Sequence, residues 1–127
     1  ERNAADAVRV LSGLGYRPRA AVALEEFADA QARERWCREK GATVFTLDCP
    51  FDPMTALDLF VAEPFDFEAA YAQRRLLPVG AVDVPVVGLA TLIAMKQAAG
   101  RHRDLADIED LQRVAREGGA VAPPPRD

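Results

Sequence analysis

Six side chains in this chain have the types and spacing to do chemistry: Asp58, Lys96, Arg101, Arg103, Asp104 and Asp107. Asp58 lies in Met54–Val61, MTALDLFV, which alternates as a strand. Leu57, Leu59 and Val61 fall on one face; Ala56, Asp58 and Phe60 fall on the other. A carboxylate suits a strand interior poorly, because it competes for backbone hydrogen bonds. Burying it ionised without a partner costs several kcal/mol. Asp58 is therefore either an exposed edge residue or a functional group. Lys96 falls near the end of a helix, where a cation also suits the helix dipole. Arg101–Arg103 reads as a basic link. Asp104 stands where a helix N-cap is wanted, and Asp107 one turn later also favours the helix start. Each residue has a structural account of its own; their co-occurrence is what those accounts leave over.

Composition bounds the reading. The chain has 127 residues, half of them hydrophobic and 28% charged, enough for one domain with a real core. The net charge of −4 argues against a generally basic surface for nucleic acid. The RERWCREK run at 33–40 balances its arginines with Glu34 and Glu39 and reads as a solvated helix face. Cys37 and Cys49 lack metal-ligand spacing, and the lone His102 cannot build a His-based site. A reduced, cytoplasmic setting is expected. No apolar run approaches the ~20 residues of a membrane helix, so no membrane partner is expected.

The elements that must position these groups follow in order. Asn3 caps a helix to about Leu14, striped by Ala4, Ala7, Val8 and Leu11 and closed by Gly13 and Gly15. Tyr16–Val22, with Pro18, is a loop or short edge strand. Leu24–Lys40 is a helix broken near Asp29–Ala30, with Trp36 inward and Gly41 as its stop. Ala42–Leu47 and Met54–Val61 form an antiparallel pair joined by a proline-rich turn. Asp66 caps a short helix to about Gln73, with Phe67, Ala70 and Tyr71 inward. Leu76–Val79 and Val82–Val87 make a hairpin about Gly80–Ala81. Leu89–Ala99 is a helix ended by Gly100, and Leu105–Arg116 is the last helix, with Leu105, Ile108, Leu111 and Val114–Ala115 inward. The last two helices are expected to pair across Gly100–Arg103. The fold class expected is α/β in the α+β sense: a mixed, mainly antiparallel sheet with flanking helices and a C-terminal helical pair. Residues 1–117 read as one domain and 118–127 as a flexible, proline-rich tail.

The block Val84–Leu111, VPVVGLATLIAMKQAAGRHRDLADIEDL, resembles the signature V-x-x-L-x-x-L-I-x-x-K-x-x-A-G-R-x-x-D-L-x-D-I-x-x-L. That signature belongs to a prokaryotic nucleotidyltransferase-like family, which includes the AbiEii-type toxins, in the DNA polymerase β-like superfamily. FADAQARERWCREKGATVF at 27–45 and ALDLFV at 56–61 resemble two further family segments. The resemblance implies a nucleotidyltransferase-like fold and transfer of NMP from an NTP to an acceptor that is tRNA, protein or a small molecule. It implies that Asp58 is the third metal carboxylate and a catalytic residue. Lys96 is implied to be a catalytic and triphosphate-binding residue, with Arg101, Arg103, Asp104 and Asp107 also binding substrate. The family's Gly-Ser turn and Asp-x-Asp pair are not spelled in these residues. Mg²⁺ is expected only if that pair is supplied, and the chain by itself is expected to be inactive. It reads either as a fragment that begins after its first two strands or as a natural short relative that has lost the metal pair; if truncated, it should expose an apolar face near the N-terminus that favours a homodimer. The alternative is a non-catalytic binding or interaction module, antitoxin-like or structural, on the same fold.

Overall fold

The computed structural model describes residues 2–117; the 118–127 segment expected as a tail lies outside them. The chain divides into two compact units, Glu1–Pro64 and Phe65–Asp127.

In the first unit, helix α1 (Arg2–Gly13) is followed by strand β1 (Arg17–Pro18), a 3₁₀ turn (Leu24–Ala28), helix α2 (Ala30–Lys40), strand β2 (Val44–Asp48) and strand β3 (Ala56–Phe60). The break expected near Asp29–Ala30 is real. Asp29 ends the 3₁₀ turn and caps α2, its carboxylate accepting from the Gln31 N–H at 2.9 Å. Gly41 ends α2 at φ 59°, a conformation that favours glycine. β1, β2 and β3 form one antiparallel sheet with β2 central, so β3 is an edge strand. Phe45 and Leu47 turn one face of β2 toward the helices, where Val8, Leu24, Phe27, Ala32, Trp36 and Val61 complete the core. The Trp36 ring stacks on Phe45 with centroids 5.2 Å apart, and Leu47 is wholly buried.

The second unit contains helix α3 (Phe67–Ala72), strands β4 (Arg75–Val79) and β5 (Val82–Val86), and helices α4 (Leu89–Ala99) and α5 (His102–Glu117). Asp66 caps α3 as expected, accepting from the Ala69 N–H at 3.0 Å. β4 and β5 form a separate two-stranded antiparallel sheet, closed by Val79↔Val82 around Gly80–Ala81. Every strand pairing among the described residues is antiparallel, and the fold class is α+β. No helix among the described residues is long and apolar enough to cross a membrane.

Two expectations about this unit need correction. The last helix begins at His102 rather than Leu105, so the link between α4 and α5 is only Gly100–Arg101. Apolar periodicity also overstated burial. Phe67, Tyr71, Leu105 and Val114 are all more than two-fifths exposed, and Ile108 is the buried apolar residue among those described in this unit. One short helix, one hairpin and a helix pair offer too little facing surface to cover every apolar stripe.

Gly88 lies close against the end of α3. A Cβ there would stand 2.9 Å from the Gln73 carbonyl oxygen. Gly88→Ala is expected to cost about 1–3 kcal/mol by forcing α3 away from the start of α4. Hydrogen exchange should show lost protection in α3 and the first turn of α4. Unchanged exchange there would refute the close packing.

Candidate functional site

α4 and α5 pack against each other, and their polar residues meet at the Gly100 turn. Gly100 takes φ 64°, and its N–H donates to the Lys96 carbonyl at 3.0 Å. This left-handed cap reverses the chain within two residues and brings the last turn of α4 beside the first turn of α5. The Lys96 Nζ lies 2.6 Å from Asp107 Oδ2 and 3.7 Å from Asp104 Oδ1.

Asp104 is the centre of the cluster and is only 4% exposed. It is not the N-cap. It stands third in α5 and reaches back, accepting from the Arg101 N–H at 3.3 Å and Arg101 Nε at 2.7 Å. A side chain at this position commonly returns a bond to the capping residue's N–H, which is why α5 begins earlier than the position of Asp104 suggests. Arg101, foremost through its hydrogen bond, holds the Asp104 carboxyl below its ordinary range, with Lys96 adding to the effect against the opposing pull of burial. Asp104 in turn raises Arg101.

Four of the six chemically interesting residues, Lys96, Arg101, Asp104 and Asp107, therefore form one ionic cluster. Arg103 does not join it: it is exposed in the first turn of α5 and forms no ion pair among the described residues. Asp58 belongs to the first unit. It lies exposed on β3, opposite Thr46, whose Oγ1 donates to its Oδ1 at 2.6 Å. The edge-strand position accounts for a carboxylate in this strand without a burial penalty.

No family model, curated protein or solved structure matches the chain.

Asp104 is engaged by Arg101 and Lys96, Asp107 by Lys96, and Asp58 by Thr46. Among the described residues no three His, Cys, Asp or Glu side chains are grouped to hold a metal ion. A hard divalent cation needs several oxygen ligands converging on one point.

Two further groups carry no expectation from the sequence. Cys49 starts the turn before β3; a hydrogen bond from the Phe51 backbone lowers its thiol pKa, and Tyr16 adds to the effect. Arg74 stacks over the Tyr71 ring at 4.0 Å. The i, i+4, i+7 spacing of Phe67, Tyr71 and Arg74 is the signal that would have found this second grouping.

Proposed function

We propose that this chain is a nucleotidyltransferase-like protein whose α4–α5 turn contacts the phosphates of an NTP. The observation that carries the reading is the convergence of Lys96, Arg101, Asp104 and Asp107, the charged positions of the K-x-x-A-G-R-x-x-D-L-x-D pattern, on one cluster. Lys96 supplies a compact cation with three donors, suited to phosphate oxygens. Its side chain is 24% exposed, so a phosphate can compete with the partly exposed Asp107 for it. Asp104 and Arg101 hold the turn in place. Asp58 is the third carboxylate in this reading, and Mg²⁺ enters only with an Asp-x-Asp pair supplied from outside these residues. The acceptor is tRNA, protein or a small molecule, the setting cytoplasmic, and a homodimer is part of the proposal.

A second reading, a non-catalytic binding or interaction module, is favoured by one observation. The cluster is already satisfied internally, as an ion-paired staple between two helices would be. Transfer assays separate the two. The 127-residue chain is expected to label neither RNA nor protein from any NTP. A chain extended upstream, if the extension carries Gly-Ser and Asp-x-Asp, is expected to gain transfer. There Asp58→Ala should abolish it, and Lys96→Ala should mainly raise the NTP KM. Robust Asp58-dependent transfer by the 127 residues alone would refute the missing-pair account. An extended chain that fails with every NTP would favour the interaction module.

A further inference from the structure

Beside α3 the second unit holds a cleft of about 250 Å³, walled by Phe67, Tyr71, Arg74, Pro85, Val86 and Val87. Phe67 and Tyr71 stack with centroids 5.5 Å apart. The Arg74 guanidinium lies over the Tyr71 ring, and its Nη1 donates to the Tyr71 carbonyl at 2.8 Å. Its Nε is closed off from water and has no acceptor. Among the described residues no carboxylate pairs with Arg74.

A guanidinium keeps its charge at any ordinary pH, so it must find compensation in place. The Tyr71 ring and carbonyl give part of it, the first as a cation–π contact and the second as a helix-end hydrogen bond. The Nε–Nη2 edge is left over. Its two N–H groups are parallel, the arrangement that a carboxylate meets with both oxygens. The cleft that Arg74 lines is otherwise walled by aromatic and aliphatic side chains, which favours a flat apolar body. The volume is below that of a drug-sized pocket, so the body is about one ring. We propose that this cleft binds a small aromatic monocarboxylate, its ring against Phe67 and Tyr71 and its carboxylate on Arg74. Because Nε is shielded, the ligand must part the side chains over it, and binding is coupled to movement of the Arg74 side chain.

The test is an NMR titration of the full chain with benzoate, and with benzamide and acetate as its neutral and ring-less counterparts. Benzoate should shift the Arg74 Nε–H and the Phe67 and Tyr71 ring signals saturably. Benzamide and acetate should each bind at least about tenfold more weakly, the loss expected when a charge-assisted pair or a buried ring is missing. Arg74→Gln should bring benzoate down to the benzamide level without changing benzamide. Val86→Trp should block both by filling the cleft. Benzoate and benzamide of equal affinity in the unsubstituted chain would overturn the proposal, as would benzoate binding unchanged by Arg74→Gln or no saturable shift at Phe67 and Tyr71. The comparison of ligands on the unsubstituted chain stands even if a variant fails to fold.

Discussion

Trp36→Ala is expected to remove between about three-tenths and all of the stability of the 2–64 unit at room temperature. Trp36 is 7% exposed and lies flat on Phe45, with ring planes 2° apart, while Phe45 also meets Phe27 at 5.4 Å. Removing a large buried aromatic costs about 3–5 kcal/mol, from lost transfer energy and the cavity left behind. A unit of this size has roughly 3–10 kcal/mol of stability in all. The loss therefore takes about three-tenths of the total at the least and all of it at the other extreme. Trp36 is the chain's one tryptophan, so the substitution also removes the fluorescence probe. Urea unfolding followed by circular dichroism, with hydrogen exchange on the β2 amides, supplies the readout. Native protection of Phe45 and Leu47 in the variant would show that the core does not depend on this stack.

Lys96→Met is expected to loosen the α4–α5 pair at neutral pH by on the order of 2 kcal/mol. The Lys96 ammonium pairs with two carboxylates, one of them in the 4%-exposed Asp104, and the substitution removes the cation they share, leaving Asp104 with Arg101. The same cluster sets an acid limb. The folded Asp104 pKa is depressed, chiefly by Arg101, so its contribution is complete above the unfolded value near pH 4. It is lost as pH falls through the lower folded value. Stability of this unit should decline as pH falls below about 4, and Asp104→Asn should flatten that decline. The Lys96→Met penalty should shrink as Asp104 is protonated, because a neutral Asp104 carboxyl no longer needs a cation beside it. Hydrogen exchange of the α4 and α5 amides at several pH values measures both effects. A Lys96→Met penalty that is the same at pH 7 and at about pH 2 would mean the ion pairs do not hold these helices together.

Local signals in the sequence were enough to determine most of the elements. Gly88 and Gly100 bracket α4, Asp66 caps α3, Gly80 turns the hairpin, and Asp29 divides the 3₁₀ turn from α2. Caps and left-handed turns depend on the residue itself and its near neighbours, so one sequence suffices to read them. Asp58 on a strand and Trp36 in the core were legible for the same kind of reason, from alternation and helical spacing. Burial was not. Leu105 and Val114 repeat along α5 as Ile108 does, yet only Ile108 is buried, because burial depends on what lies opposite. The start of α5 was decided by Asp104 turning its carboxylate back onto Arg101. The partners of Lys96 were decided by how the Gly100 turn sets one helix against the next. Those pairings arise between elements, and only the tertiary structure brings the elements together.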